Sequence, residues 1–384
     1  MASLILPVFI TGVLVWFSIV TILNVFTMLR VGKASQTNET PLISVLIPAR
    51  NEADVIARTI SNLLAQTYTN YEIVLLDDNS TDGTSQQAIQ AANGDTRLRI
   101  ISGKPLPDGW AGKNWACHQL SEAAQGEWLI FTDADVQWNP IALQSVVDMV
   151  ADSRADMLTV WSTQETHTWG ERLVVPLMAF VILGYLPHLS VHHIPWAVFG
   201  VANGQCMVFR RKAYEQIGGH AAVSDEIVED IRLAQTVKRS GLQLRIADGT
   251  GLVNCHMYNG WREVRDGYGK NIIAGYGDSL AGLLAGSLFH WVVFLYPWVW
   301  LVSSIFTTNW LDAAWALALI ALAMLIRALT AAATLQRPHD ALLMPVSVLL
   351  MTRIAAQGIY WQVRYGGPRW KDRTIVRRKT ARTS

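Results

Sequence analysis

Apolar residues in this chain fall into two kinds of run, one short and one of membrane length. The short runs are confined to the first half. "LISVLIP" (42–48) reads as a strand and is followed by a helical pattern over Glu52–Ala65. The alternation then repeats: strand Glu72–Leu76, helix Thr84–Ala92, strand Leu98–Ile101, helix Asn114–Ala124, strand Glu127–Thr132, helix Pro140–Val150 and strand Asp156–Val160. Strands that are apolar throughout, each followed by a helix, predict a mainly parallel sheet covered on both faces. Ligands of such sheets bind beyond the carboxyl ends of the strands.

The long runs lie at the two ends. Leu4 to Met28 is apolar and uncharged, long enough to span a bilayer with some tilt. No basic stretch precedes it and no clear small-residue cleavage site follows, so an uncleaved anchor is favoured over a signal peptide. Arg30 and Lys33 follow directly and place the next segment in the cytoplasm by the positive-inside tendency. Leu280–Phe306 and Trp310–Leu335 are also span-length. Ala341–Val363 contains Arg353 and Gln357, and a Lys/Arg-rich tail follows it. A charge at a helix centre is costly, so three full spans plus a re-entrant or interfacial fourth segment are predicted. Leu173–Leu189 is short for a span and is broken by Pro176 and Pro187. It fits a core helix or, preferably, an interfacial segment within 173–202. The resulting division is an anchor (1–34), a cytoplasmic α/β domain (35–270), a membrane region (271–363) and a basic cytoplasmic tail (364–384).

Composition agrees with a membrane protein. Hydrophobic residues make up 51% and charged residues 16% of 384, against about a quarter charged in soluble domains. A net charge of +1 gives no electrostatic reason to expect a nucleic-acid partner. Cys117, Cys206 and Cys255 are scattered, with neither zinc nor disulfide spacing. They read as core or neutral residues in a reducing compartment.

The candidate chemistry is a series of acidic pairs. Asp77-Asp78 and Asp133-Ala134-Asp135 each follow a predicted strand, and Glu229-Asp230 opens an amphipathic helical pattern. Carboxylates are costly to bury and rarely sit beside core strands by accident. Two of them at i and i+2 suit a hard cation such as Mg²⁺ or Mn²⁺. Gly112-Lys113 opens a helix and suits an anionic group. Each feature has a plainer explanation: a solvated turn for "NSTDG", a surface lysine for Lys113, and acids favoured by a helix N-terminus for Glu229-Asp230. His188, His192 and His193 read as packing residues rather than metal ligands.

Taken in order, "PARNE", "DDNSTDGT", "GKNWA", "FTDAD", "NGQCMVFRR" and "VED" resemble the family 2 glycosyltransferases, over roughly residues 41–270. The resemblance implies a GT-A (Rossmann-like) catalytic domain and inverting transfer from a nucleoside-diphosphate sugar. By motif, Ala49, Glu52 and Asp78 would bind the nucleoside with Asp77 beside them, and Lys113 would lie near the donor. Asp133 would contact donor ribose or diphosphate, and Asp135, with Asp133, would hold Mg²⁺ or Mn²⁺. Asp230 would be the general base, supported by Glu229. Asn203, Gly204 and Gln205 would line the acceptor side.

The Q-x-x-R-W motif of processive polysaccharide synthases is missing. Trp261 and Arg262 in "MYNGWREVRDGYGKN" are the nearest stand-ins, on the acceptor side. "LPDGWAGKNWACHQL" together with "RWKDR" looks instead like the membrane glycosyltransferases of the hopanoid-associated, ceramide and carotenoid types. The expectation is therefore an integral protein of a bacterial inner membrane. It would move sugar from a UDP sugar to the hydroxyl of a lipid or isoprenoid, with a carotenoid the leading acceptor. A processive synthase and a catalytically silent membrane scaffold are the alternatives.

Overall fold

A computed structural model describes residues 2–33, 36–37, 39–367, 369–370 and 373–374. The basic segment 375–384 lies outside the described residues. The chain divides into two compact units. Among the described residues, one comprises 28–165 and 188–257, and the other 2–27, 166–187 and 258–374. The division is not the contiguous one expected from the sequence. Residues 28–33 belong with the sheet, and 166–187 and 258–270 belong with the helical unit.

The sheet unit holds strands β1 (Leu29–Arg30), β2 (Ile43–Ala49), β3 (Tyr71–Asp77), β4 (Leu98–Ser102), β5 (Trp128–Thr132), β6 (Val136–Trp138), β7 (Met157–Trp161), β8 (Thr163–Gln164), β9 (Cys206–Arg210), β10 (Leu244–Asp248) and β11 (Val253–Cys255). Eight of them form one sheet in the order β1-β10-β7-β9-β5-β2-β3-β4. Every pairing in it is parallel except the two made by β9, which runs against β5 and β7. A second sheet has the order β6-β11-β8. The predicted strands and their intervening helices are found within a few residues of the expected bounds. β2, β5 and β7 are buried along nearly their whole length, as befits strands covered on both faces. The helices Ala53–Leu64 and Ala142–Ser153 bury Ile56, Ile60, Leu63, Leu143, Val146 and Val147 in the core cluster that also holds Val45, Ile47, Ile73 and Leu75.

Register in the sheet is fixed partly by polar groups. Glu72 accepts hydrogen bonds from Ser44 Oγ and from the Gln125 amide, each at 2.6 Å. The Gly126 amide donates to Ser44 Oγ at 2.8 Å. A β-carbon on Gly126 would stand 2.5 Å from Ser44 N and 2.8 Å from Leu42 O. Only glycine lets β5 begin this close to β2.

The helical unit contains the N-terminal helix Ala2–Thr27, the short helices Trp169–Val174 and Leu177–Tyr185, and the helices Gly260–Gly275, Leu280–Phe294, Tyr296–Phe306, Trp310–Ala333 and Met344–Tyr365. A two-stranded pair, β12 (Arg369–Trp370) and β13 (Arg373–Thr374), follows. Among the described residues four stretches are long and apolar enough to cross a membrane: 4–27, 280–306, 310–333 and 338–365. They turn large apolar side chains outward, among them Phe9, Trp16, Phe26, Leu288, Phe306, Leu317 and Val363. The second stretch is two helices meeting at Leu295, with Pro297 in the first turn of the later one. The fourth is the segment expected to be re-entrant or interfacial. Met344–Tyr365 is one unbroken helix. Its Arg353 is exposed and donates to Gln357, one turn on, at 3.2 Å.

Leu177–Tyr185 is a core helix on one side and an apolar surface on the other. Phe180 and Leu183 are buried, with Phe180 in the cluster formed by Ile10, Leu14, Phe17, Val293 and Ile326, while Met178 and Val181 are exposed. Asn24 Nδ2 donates to Leu183 O at 2.8 Å and to Leu186 O at 2.7 Å, which ties the end of this helix to the N-terminal one.

Gly126→Ala is expected to lower the unfolding free energy by about 1–3 kcal/mol through overpacking against β2. Denaturant titration of the purified protein checks this, and unchanged stability would refute the close-approach argument.

Candidate active site

Backbone register brings the first two acidic pairs to one rim. Ala49 pairs with Asp77, so β2 and β3 end together, and β5 runs parallel beside β2. The turns beyond β2 and β3 are bound to each other. Asn51 N–H donates to Ser80 Oγ at 3.0 Å, and Thr81 N–H donates to Asn51 Oδ1 at 2.9 Å. Ala53 N–H, at the start of the next helix, donates to Asp82 at 3.0 Å. Glu52 N–H donates to Thr84 Oγ1 at 2.9 Å. Asn51 and Asn79 take positive φ, which asparagine tolerates better than most residues.

Asp77 is occupied by its own turn. Its carboxylate accepts the Ser80 N–H at 2.8 Å and the Ser85 hydroxyl. Burial works against its charge, but these bonds outweigh it and hold the pKa below the usual carboxylate value. Asp78 stands at the open side. It takes a 3.1 Å ion pair from Arg50 Nη1, which also bonds Asp78 O at 2.9 Å. Its own N–H donates to Ala49 O at 2.8 Å. A β-carbon on Gly112 would come within 3.9 Å of Asp78 Oδ2, so the helix Gly112–Ala123 starts against this carboxylate.

Lys113, one residue into that helix, joins the second and third acidic pairs. Its Nζ lies 2.7 Å from Asp133 and 3.1 Å from Glu229. Desolvation disfavours its charge, yet Asp133 and Glu229 more than offset this and hold its pKa well above the ordinary lysine value. Asp135 lies deeper. Burial first, then the charges of Asp133 and Glu52, push its carboxyl up to about 7, and its Oδ1 is buried with no hydrogen-bond partner. Among the described residues no group of three His, Cys, Asp or Glu side chains is arranged to hold a metal alone. The hard oxygen donors Asp133 and Asp135 still fit a divalent cation whose remaining positions are filled by phosphate oxygens and water.

Glu229 and Asp230 open the helix Glu229–Arg239, where the backbone favours negative charge. Asp230 accepts the Gly204 N–H at 3.0 Å and the Ile231 N–H at 2.8 Å. Burial, then the Glu229 charge, raise its pKa to about 7. A β-carbon on Gly204 would stand 3.4 Å from both Asp230 Oδ2 and Lys113 Nζ. Gly204 therefore stands at the meeting point of these groups. Gln205, beside it, is 3% exposed. Its Oε1 accepts from Ser162 and from Gln164 (2.7 Å), and its backbone O from Thr132 Oγ1 at 3.0 Å. It is part of the interior rather than an acceptor-facing surface. Asn203 donates to Ser162 Oγ and Gln205 Oε1, each at 3.3 Å.

Trp261 and Arg262 belong to the helical unit. Trp261 stacks on Trp169 with centroids 5.8 Å apart, and Arg262 is exposed. His188 and His192 are buried, and the Ile246 N–H reaches His192 Nε2 at 3.3 Å.

Sequence reasoning passed over Asn114. Its buried amide donates to Val223 O (2.6 Å), Ser224 O (3.2 Å) and Glu226 O (3.0 Å). The Ala111 N–H adds a 2.7 Å bond to Ser224 O. The segment leading into Glu229 is thus fastened to the helix that carries Lys113. "GKNWA" marks the residue, but nothing in its spacing predicts partners more than a hundred positions away.

Residues 44–218 match the family model described as Glycosyl transferase family 2. The chain is 25% identical over 264 residues to 4,4'-diaponeurosporenoate glycosyltransferase of Staphylococcus haemolyticus (strain JCSC1435), covering 65% of each protein. It is 23% identical over 249 residues to the protein of that name from Staphylococcus aureus (strain MRSA252), covering 63% of this chain and 64% of that one. It therefore spans a little under two thirds of the length of these relatives. Among solved structures, mannosyltransferase PcManGT from Pyrobaculum calidifontis, in complex with GDP-Man and Mn²⁺, superposes with a TM-score of 0.55 at 18% identity. The superposition covers 93% of this chain and 99% of that one.

Asn114→Ala is expected to free the segment 223–228, at a cost of about 1–3 kcal/mol in local stability. Faster amide hydrogen exchange confined to that segment would be the signature, and unchanged protection would count against the tether. Residues 44–218 thus match glycosyl transferase family 2 in sequence, and the fold is of the GT-A type.

Proposed function

We propose that the chain is a membrane-bound, metal-dependent, inverting glycosyltransferase that moves one sugar from a nucleoside diphosphate to an amphiphilic acceptor. The observation that carries this reading is the Lys113 bridge. One ammonium group contacts Asp133 on the donor side and Glu229 on the base side, so both halves of the reaction share one site.

In this reading Asp78, Ala49 and Glu52 receive the nucleoside, and Arg50 orients the Asp78 carboxylate. Asp133 and Asp135 would hold Mg²⁺ or Mn²⁺. A bound divalent ion supplies neutralisation of the diphosphate as it leaves. Asp230 accepts the proton of the attacking acceptor oxygen. The new C–O bond forms on the face of the anomeric carbon opposite the breaking bond to the diphosphate, which departs with the electron pair. The Gly204 and Ile231 N–H groups hold Asp230 in place, and Lys113 balances the acidic cluster.

The acceptor class rests on two supports: the relatives are named for a carotenoid acid substrate, and four stretches of this chain are of membrane-crossing length. Arg30 and Lys33 favour the cytoplasmic side for the sheet unit. The donor is expected to carry UDP. Competition between UDP and GDP for the donor site decides this point, and tighter GDP binding would overturn it.

Asp230→Asn is expected to lower transfer by about 10²–10⁴-fold while donor binding persists. In the wild type, the carboxyl raised to about 7 is protonated at lower pH. The rate should therefore fall about tenfold per unit as pH drops below that value and level off above it. A carboxylate acceptor is already deprotonated and needs no base. Full turnover by Asp230→Asn would remove Asp230 from the mechanism and point to such an acceptor.

A further inference from the structure

The sheet unit carries an exposed apolar segment over residues 188–199, which run through the short helix His188–His193 and the turn Ala197–Phe199. Leu189 is exposed, as are Trp196 (65%) and Val198 (74%), and Trp196 stacks on Phe199 with centroids 6.3 Å apart. Apolar side chains grouped outward in this way mark an interaction surface. The segment contains no acidic residue. Two cations stand behind it: Lys238 Nζ donates to Val191 O and to Ile194 O (2.6 Å), and Arg245 Nη1 donates to His192 O at 2.9 Å. Its place in the sheet unit identifies what covers it. The first membrane-length stretch ends at Thr27, and Leu29, two residues on, pairs with Ala247 of β10. Ile246, the neighbouring residue of that strand, donates its N–H to His192 Nε2 at 3.3 Å. The segment is therefore seated on the strand that receives the chain as it leaves the first span.

We infer that residues 188–199 form a membrane-surface patch, in which Leu189, Trp196 and Val198 enter the headgroup layer of the bilayer that the first span crosses. Tryptophan favours that layer, and the acid-free segment backed by Lys238 and Arg245 suits a surface containing anionic lipid. Apolar side chains of such segments reach about 5–10 Å into the headgroup/acyl boundary. The inference rests on the reading of 4–27 as a span and on no catalytic assignment. It bears on the site through one helix. A β-carbon on Gly200 would stand 2.7 Å from Gln235 N and Cα, so the backbone that follows the patch lies directly on the helix Glu229–Arg239. Lys238 ties the same helix to the patch, and Asp230 lies about 12 Å along the helix axis from Lys238. Docking of the patch thus sets Asp230 at a fixed height over the bilayer, where the head group of an amphiphilic acceptor projects.

The test is fluorescence quenching of a bimane label on the full-length protein, reconstituted in vesicles of phosphatidylcholine and phosphatidylglycerol. The label is carried by Val198→Cys or, in a second variant, Leu189→Cys. Cys117, Cys206 and Cys255 are buried, which leaves the added thiol as the reactive one. Ile89→Cys, at an exposed position of the helix Thr84–Ala92 next to the far edge of the sheet, is the aqueous reference. Iodide is expected to quench the label at 198 and 189 about threefold less than at 89, and nitroxide-bearing lipid to quench it about threefold more. Iodide quenching at both positions equal to that at 89 would overturn the patch. Protection from both quenchers would also overturn it, by showing a protein partner in place of lipid. Trp16→Cys, on the first span, separates the two assumptions: iodide access to a label there would overturn the span reading and the patch with it.

Discussion

Everything in the site depends on one ammonium group placed among carboxylates. Asp133, Glu229 and Asp230 gather around Lys113, and the charges of Asp133 and Glu52 add to burial in raising the proton affinity of Asp135. Like charges at such range in a desolvated pocket repel strongly. Without a fixed cation the rim would keep its charge density down by protonating or by opening. Lys113 fixes the cluster from a helix that starts against Asp78, so a single element touches all three acidic pairs. Asn114, the next residue, ties the same helix to the segment leading into Glu229. The charge balance and the backbone that delivers it are built from adjacent residues.

The parts visible in the sequence were those governed by local rules. The alternation of buried strands and helices follows from residue type alone and appears as expected from Ile43 to Trp161. The acids stood out because carboxylates at strand ends are costly. What could not be read was set by partners distant in the chain. β9 looked like another motif, yet it enters between β5 and β7 and reverses direction. β1 is only two residues long and exists because β10 offers it an edge. The pairing of Arg353 with Gln357 one turn on along an unbroken helix was likewise not read from the Ala341–Val363 run.

The roles of individual residues divide the same way. Asp77 and Asp78 are adjacent and chemically identical, and only the family resemblance set Asp78 on the nucleoside with Asp77 beside it. The fold separates them, spending Asp77 on Ser80 and Ser85 and leaving Asp78 at the open side with Arg50. Gln205 sits in a motif that suggests contact with substrate, but its amide is consumed by Ser162, Gln164 and Cys255.

The reversed strand also bears on how such a protein diversifies. β7 ends at Trp161 on the carboxyl rim, and because β9 runs the other way, the chain re-enters the sheet at Cys206 on that same rim, where Cys206 pairs with Thr132. The whole stretch between them is a closed excursion that departs from and returns to one edge. Its length and content do not enter the pairing of any strand in the large sheet. Its two ends are tied to the acids' sheet by need: Ser162 follows β7 directly, and Gly204 and Gln205 close the excursion on Asp230 and Thr132.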